Sequence, residues 1–221
     1  MSLQRKSKYP IDSLFTCRWS PRAFTGEPID DTTLMSFFEA ARWAPSSFNA
    51  QPWRFIYARR DTPAWAPLHD ALNEFNRSWA HRASALVVVL SRTSWTPPGK
   101  TQPQPIPTHS FDTGAAWASL AFQATLKGWH AHAMGGFDRE QLRQALGIPD
   151  DHAIEAMVAI GWRSDEPVLP EALQAREVMS QRLPLEQVVV EGRFGFGGVA
   201  APAPVPVPSA QPVGEPDKAP A

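Results

Sequence analysis

The sequence is short of cysteine: Cys17 is the only one in 221 residues. A single thiol cannot form an internal disulfide, and it cannot supply a cysteine-based metal site, which takes several cysteines. Disulfide-stabilised secreted proteins are therefore excluded as a class. A cytoplasmic location is the default expectation for such a chain.

The sequence also has no excess of charge of either sign, because it contains 21 basic and 22 acidic residues and its formal net charge is −1. Such a chain has no field that would attract nucleic acid or an acidic membrane surface. No apolar run approaches the roughly 20 residues that a spanning helix needs. The segment Met1 to Pro10 is basic and polar and lacks the apolar core of a signal peptide. We therefore expect no nucleic acid partner and no membrane partner.

What the chain does have is a globular composition, with 43% hydrophobic and 19% charged residues. Its length allows one sizeable core or two small ones. Nine tryptophans suit planar ligands or an interface, although they also suit a core. The histidines His109, His130 and His132 have no third ligand at a recognisable spacing, so we expect no metal site.

Hydrophobic periodicity predicts helices alternating with a few strands. Five prolines and no periodicity make Ser91 to Ser110 a structureless connection, which is either a lid or a surface insertion. The predicted helices are an amphipathic one from Asp30 or Asp31 to Pro45, an interrupted one from Ala64 to about Ala83, one capped by Asp112 that stops at Gly128, and one capped by Asp138 that ends at Gly147. The predicted strands are Trp53–Ala58, Leu86–Leu90, Ile154–Trp162 and Leu185–Val190.

One polar motif lies in the loop from Pro45 to Trp53. Ser46 and Ser47 offer hydroxyls, and Asn49 and Gln51 offer amides that both donate and accept hydrogen bonds. These groups could pair with a flat heterocycle that has a uracil-like edge, such as an isoalloxazine ring. The alternative is an ordinary helix-to-strand turn, because serine, asparagine and proline are common turn formers.

A second motif lies upstream, from Arg18 through Trp19 to Phe24. Arg18 and Arg22 carry guanidinium forks that bind phosphate oxygens in pairs, and Ser20 can add a neutral hydrogen bond. The alternative for this motif is a solvated charged turn.

The two motifs at this separation resemble those of the FMN-dependent nitroreductase family, over a stretch from about Arg18 to Arg193. The resemblance implies one α+β domain, an α/β/α sandwich whose central mixed or antiparallel sheet is flanked by helices. We expect this domain to cover residues 1–198 and to be followed by a disordered, proline- and alanine-rich tail at 199–221. The resemblance also implies a homodimer with FMN at the interface.

The resemblance further implies the residues that hold FMN. Arg18, Ser20, Arg22 and Arg182 would bind the phosphate, while Pro45, Ser46, Ser47 and Asn49 would approach the ring from the partner chain. Asn76 would lie against the ring, or else be a helix-surface amide. The turn at Gly135 and Gly136 would lie beside the reactive nitrogen, or else be an ordinary turn. The full set of candidate cofactor-binding residues is Arg18, Trp19, Ser20, Arg22, Pro45, Ser46, Ser47, Asn49, Gln51, Asn76, Gly135, Gly136 and Arg182.

The implied function is that of an NAD(P)H-dependent oxidoreductase. NADH or NADPH gives a hydride to the flavin and leaves, and a nitroaromatic, quinone or related conjugated acceptor then takes its place in a ping-pong mechanism. No side chain needs to act as an acid or base, so no catalytic residue is predicted. Two alternatives stay open: a flavoprotein of the same fold with another reaction, reductive dehalogenation or consumption of flavin, and a non-redox flavin-binding or interaction protein.

Overall fold

The computed structural model describes residues 5–196 of the chain. The chain divides into two compact units, Met1–Gln181 and Arg182–Ala221. The predicted tail at 199–221 and the predicted domain boundary at 198 lie outside the described residues. Among the described helices, none is long and apolar enough to cross a membrane.

The first unit is built on a four-stranded sheet in which every pair of neighbours is antiparallel. In chain order its strands are β1 (Trp53–Arg59), β2 (Ala85–Arg92), β5 (His130–Met134) and β6 (His152–Gly161). Across the sheet they lie in the order β1-β2-β6-β5. Two short strands, β3 (Ser94–Trp95) and β4 (Gln104–Pro105), form a separate hairpin. The segment from Ser91 to Ser110 is therefore not structureless, which corrects the prediction.

Helices cover both faces of this sheet. The helices are α1 (Ser13–Cys17), α2 (Asp31–Arg42), α3 (Trp65–Asp70), α4 (Glu74–Ala80), α5 (His109–Leu126), α6 (Arg139–Leu146) and α7 (Glu171–Gln174). Val87 and Val89 of β2 pack with residues of α2 and α5 on one face. Leu86 and Val88 of the same strand pack with residues of α3, α4 and α6 on the other. β2 is thus buried on both sides, as its unbroken apolar run predicts, and the α/β/α sandwich is confirmed.

Capping contacts explain where several helices begin and end. Asp30 accepts the Thr33 N–H at 2.8 Å at the start of α2, and Asp138 accepts the Gln141 N–H at 2.9 Å at the start of α6. Gly147 ends α6 with a left-handed backbone, φ 62°. These three ends are as predicted.

Two predicted elements are wrong. The helix α5 begins at His109 rather than at Asp112, which lies buried inside its first turn because its carboxylate binds another loop. In the second unit, residues 185–190 form no strand. Leu185–Gln187 is a 3-10 helix, and the N–H groups of Val188 and Val189 donate to the Leu185 carbonyl, so they are not used in strand pairing.

Candidate functional site

The basic motif from Arg18 to Phe24 runs alongside the end of β6. Phe24 forms an isolated β-bridge with Arg163, and the Ser164 N–H donates to the Ala23 carbonyl at 2.9 Å. Gly161, the last residue of β6, makes this approach possible, because a Cβ there would lie 2.6 Å from Cδ1 of Phe24. The motif is therefore fixed to the sheet rather than being a solvated turn.

Within the motif, the arginines and the serine lie together. The Arg18 guanidinium donates to Oγ of Ser20 at 3.3 Å. Nε of Arg22 is buried and has no hydrogen-bond partner among the described residues. Burial is the main cause of a lowered pKa at Arg22, and the charge of Arg176 is the next, while the Glu177 carboxylate offsets part of this lowering. A buried cation held near another cation is an electrostatically costly arrangement that an anion would stabilise.

Glu177 supports this motif, and sequence reasoning missed it. Its buried carboxylate accepts the backbone N–H groups of Arg22 at 2.7 Å and Ala23 at 2.9 Å through the same oxygen, Oε1. The contact spans more than 150 residues of sequence, so no local pattern could have indicated it.

Two histidines of β5 lie on the same side of that strand as the motif. Burial lowers the pKa of His130 to about 4, with smaller contributions from Arg163 and Arg18. Burial likewise lowers the pKa of His132 to about 4, although its ring also hydrogen-bonds the Pro21 carbonyl at 2.9 Å. Both rings are therefore neutral at pH 7. Nδ1 of His130 is buried without a hydrogen-bond partner among residues 5–196.

Trp19 lies at the same place but is a core residue. It is 9% exposed, its ring contacts that of His130 edge-on at 6.4 Å between centroids, and the Arg163 guanidinium lies over it at 5.4 Å. Its proposed contact with the cofactor stays a prediction.

The predicted Asn76 and the glycine turn meet at the other end of β5. Nδ2 of Asn76 donates to the Gly136 carbonyl at 2.9 Å, and the Asn73 N–H donates to the same oxygen at 3.0 Å. Asn76 is 6% exposed, so the helix-surface reading of this residue is wrong. A Cβ on Gly136 would lie 2.4 Å from Nδ2 of Asn73, whereas a Cβ on Gly135 would meet nothing within 4 Å.

The loop from Pro45 to Trp53 has an unusual backbone. Phe48, Asn49 and Gln51 all have positive φ, at 51°, 54° and 48°. A non-glycine residue held in this region is strained, and such residues concentrate at functional sites. Oγ of Ser46 accepts the Gln51 N–H at 3.0 Å, which closes the loop. This geometry is more constrained than that of an ordinary turn.

Asp112 holds this loop in place, which the sequence did not indicate. Its Oδ2 accepts the Ser47 N–H at 3.1 Å and the Thr108 hydroxyl at 2.8 Å. The carboxylate is buried, with 4% of the residue exposed. Asp112 therefore ties the loop to the start of α5.

Within the first unit, the candidate residues form three groups that lie at different places in the fold. Arg18, Ser20 and Arg22 lie at the His130 end of β5, while Asn76 and Gly136 lie at its Met134 end. The loop from Pro45 to Trp53 precedes β1, which is the opposite edge of the sheet. Three strand spacings separate those edges, about 14 Å. Arg182 opens the second unit, and its role stays a prediction.

In the part of the chain that the structure describes, no metal centre accompanies these groups. Within residues 5–196, no group of three or more His, Cys, Asp or Glu side chains is placed to hold a metal ion. His109 lies apart from His130 and His132. Its Nδ1 bonds Oγ of Ser91 at 2.7 Å, and Ser91 pairs with Ala153 at the start of β6, whereas His130 and His132 pair with Gly161 and Ala159 at its end.

Comparisons with known proteins agree with this fold. The model of the Nitroreductase family matches residues 16–63 and 59–162, and the chain belongs to that family. Membership makes it an enzyme of the oxidoreductase class, as the resemblance implied.

Individual relatives extend the comparison. A crystal structure of an oxidoreductase containing FMN is 48% identical and superposes with a TM-score of 0.85, covering 89% of this chain and 99% of that one. An NADH dehydrogenase of Thermus thermophilus is 31% identical over 78% of this chain and 91% of its own length. A 5,6-dimethylbenzimidazole synthase of Rhodospirillum rubrum is 28% identical over 73% of this chain and 85% of its own.

Proposed function

We propose that the protein is an FMN-dependent oxidoreductase that takes a hydride from NADH or NADPH and reduces nitroaromatic, quinone or related conjugated acceptors by a ping-pong mechanism. The observation that carries this proposal is the buried, unpartnered Nε of Arg22, beside Arg18 and Ser20 in a motif fixed to the sheet. The similarity to an oxidoreductase containing FMN supports it.

The donor set at the basic motif fits the phosphate end of FMN. Arg18 and Arg22 would bind phosphate oxygens through their guanidinium groups, with Ser20 adding its hydroxyl. Because His130 and His132 have a pKa of about 4, the positive charge comes from arginines and does not change around neutral pH. Arg182 is proposed as a further phosphate ligand on the resemblance alone.

The Met134 end of β5 suits the ring of FMN. Gly135 has open space where a Cβ would be, and the buried Asn76 amide fixes the turn that begins there. Amide groups at this end would stabilise negative charge on a bound ring. When bound, FMN supplies the hydride transfer between the nicotinamide and the acceptor.

A homodimer would complete the site. The strained loop with Pro45, Ser46, Ser47, Asn49 and Gln51 lies at the opposite sheet edge from the basic motif, so we propose that it reaches the ring of a partner chain. Large apolar side chains on α1 and α5 are exposed, including Phe15 at 54%, Phe111 at 82% and Leu126 at 66%. Such a surface is typical of an interface.

A relative that is 28% identical is named 5,6-dimethylbenzimidazole synthase, so a reaction other than acceptor reduction is the second candidate. We also expect the protein to be cytoplasmic, on the basis of its single cysteine.

The test is the visible spectrum of purified protein mixed with FMN, followed anaerobically by NADPH or NADH. We expect bound flavin that bleaches with the nicotinamide and regains its colour when a nitroarene or a quinone is added. Binding without bleaching would favour the second candidate or a non-redox role. Absence of flavin binding would refute the assignment of both motifs.

A pair of arginine variants makes that test specific. Arg22→Ala should weaken FMN binding by about tenfold to a hundredfold, because a charge-assisted hydrogen bond is worth about 1.5–3 kcal/mol. Arg59→Ala is the matched control: Arg59 pairs with Asp31 at 2.6 Å on the exposed surface of β1, where an ion pair contributes little. Equal flavin affinity in both variants would contradict the proposed phosphate site.

A further inference from the structure

Two arginines lie where the strained loop joins the sheet. Arg54 is the second residue of β1, and its guanidinium donates to the carbonyls of Gln51 at 3.0 Å and Trp53 at 2.7 Å. Arg92 is the last residue of β2, and its backbone N–H donates to the Pro52 carbonyl at 2.9 Å. Both arginines are therefore tied to the end of this loop.

The two side chains lie on the same face of the sheet. Arg54 pairs in register with Leu90 of β2, and Arg92 follows Leu90 by two residues, so both share the face that carries Leu86 and Val88. Partial burial is the main cause of a lowered pKa at Arg54, and the positive charge of Arg92 is the next. The two guanidinium groups are therefore neighbours.

No carboxylate in the described part of the chain neutralises this pair. The arginines that do form ion pairs with described carboxylates are Arg42, Arg59, Arg60 and Arg163. His152 pairs in register with Arg92, but the carboxylate beside it, that of Asp151, bonds Nδ1 of His152 at 2.7 Å. Nε of Arg92 is buried without a hydrogen-bond partner among residues 5–196. Neighbouring cations repel each other, and a bound anion would remove that cost.

The chemistry of the pair suits a phosphate group. Arg54 is exposed and Arg92 is half-buried, so a ligand can reach both. A guanidinium fork binds phosphate oxygens two at a time, and two adjacent forks match an anion with two negative charges. The two carbonyls that hold Arg54 fix its orientation in advance, which lowers the entropic cost of binding.

The position of the pair relates it to the hydride donor. The strained loop is proposed to reach the flavin ring of a partner chain, and a nicotinamide must lie against that ring to transfer its hydride. In NADH and NADPH a single ribose joins the nicotinamide to the pyrophosphate. The phosphates of a bound donor therefore lie close to the ring and to the loop beside it.

We propose that Arg54 and Arg92 bind a phosphate group of the nicotinamide dinucleotide. This inference rests on the proposed function and identifies residues that recognise the hydride donor. The phosphate is either the pyrophosphate, which NADH and NADPH share, or the 2′-phosphate, which only NADPH carries. The flavin's own phosphate is assigned to the basic motif from Arg18 to Phe24 and does not compete for this pair.

The test is the rate of anaerobic flavin bleaching in the FMN-loaded protein as the donor concentration is varied. Arg92→Gln should raise the donor concentration that gives half the maximal rate about tenfold, because a charge-assisted contact is lost. The maximal rate should not change, since this contact is the same before and during hydride transfer. An effect on both donors assigns the pyrophosphate, and an effect on NADPH alone assigns the 2′-phosphate.

A donor without phosphate is the sharpest control. Reduced nicotinamide riboside should bleach the flavin equally well in the natural sequence and in Arg92→Gln. Arg59→Gln is the matched control variant, because Arg59 lies on the same strand as Arg54 and pairs with Asp31 at 2.6 Å. It should leave the dependence on NADH and NADPH unchanged. Arg92→Lys, which keeps the charge without the fork, should be intermediate and serves if Arg92→Gln does not fold.

Direct binding gives a readout that does not depend on turnover. NAD⁺ and NADP⁺ cannot reduce the flavin, and calorimetry on the FMN-loaded protein should show about tenfold weaker binding of one or both to Arg92→Gln. Equal dinucleotide affinity and equal donor dependence in the natural sequence, Arg92→Gln and Arg59→Gln would overturn the inference. Slower bleaching of Arg92→Gln by reduced nicotinamide riboside would also overturn it, because the ring site would then be disturbed.

Failure of this inference is distinguishable from failure of the proposed function. Flavin that binds and bleaches normally in every variant, with no change in donor dependence, overturns only the phosphate site. Absence of flavin binding or bleaching in the natural sequence overturns the proposed function and the donor assignment with it.

Discussion

Gly136 allows a sharp prediction, because two asparagine side chains occupy the space that any larger residue would need. In Gly136→Ala the new Cβ would lie 2.4 Å from Nδ2 of Asn73 and 2.8 Å from Nδ2 of Asn76. Both side chains would have to move. Asn73 would then lose its contact with the Asn76 N–H, the cap of α4, and Asn76 would lose its bond to the Gly136 carbonyl.

The magnitude follows from those two contacts. Loss of an N-cap costs about 1 kcal/mol, and loss of a buried hydrogen bond costs about 1 kcal/mol more. We therefore expect Gly136→Ala to lower the free energy of unfolding by about 2 kcal/mol, which corresponds to a Tm lower by about 4–8 °C for a chain of this size. The assay is urea denaturation followed by circular dichroism.

Gly135→Ala is the matched control on the adjacent residue. Its Cβ would meet nothing within 4 Å, so the free energy of unfolding should change by less than about 0.5 kcal/mol. Indistinguishable stabilities of the two variants would refute the view that Gly136 is required for the packing of Asn73 and Asn76.

Three further predictions concern the buried polar groups. Asp112→Ala should destabilise the fold by about 1–3 kcal/mol, because it leaves the Ser47 N–H without its acceptor; thermal unfolding would show this, and Asp112→Asn should retain most of the stability. Glu177→Ala should lower the free energy of unfolding by a similar amount, about 1–3 kcal/mol, and should also weaken FMN binding. Glu177→Gln should do neither to the same extent, because it keeps an acceptor oxygen. Equal flavin affinity in the Ala and Gln variants would contradict a supporting role for Glu177. In the folded protein His132 has a pKa of about 4, below its ordinary value of about 6.5. As the pH falls, this histidine is therefore protonated in the unfolded chain before it is protonated in the folded one. Stability should be complete above pH 6.5 and fall between about pH 6.5 and 4 by up to about 3 kcal/mol. Urea midpoints of His132→Asn should depend less on pH over that range, and an unchanged pH dependence would argue against this group.

Local signals account for the parts of the fold that the sequence predicts. The run Leu86–Leu90 is apolar throughout because β2 is covered on both faces. Asp138 and Gly147 mark the two ends of α6 because capping depends on residues close in sequence.

Other elements depend on contacts that a local pattern cannot show. β5 was not predicted as a strand, because His130–Met134 contains none of the β-branched or aromatic residues Val, Ile, Thr, Phe, Tyr and Trp that favour strands. Residues 185–190 have strand-like composition, but the N–H groups of Val188 and Val189 are used in a turn. β propensity describes a fit to a half-buried surface rather than a backbone preference.

The candidate site, like the fold, has parts that the local sequence indicates and parts that depend on contacts between distant residues. Arg18, Ser20 and Arg22 are close in sequence, so their type and spacing indicated a shared anion site. Glu177 and Asp112, which hold the two motifs, act across 65 residues or more. Their supporting roles could only be read from the structure.

The position of the two motifs at opposite edges of the sheet has a consequence for how flavin occupancy depends on protein concentration. In the proposed homodimer each ring would be held by groups from both chains, so a separated chain would offer only part of the binding energy. Dilution that dissociates the pair should release flavin, and added flavin should in turn favour the pair. Cofactor content would then report on assembly, and a preparation purified at low concentration would lose its yellow colour without any loss of folded protein.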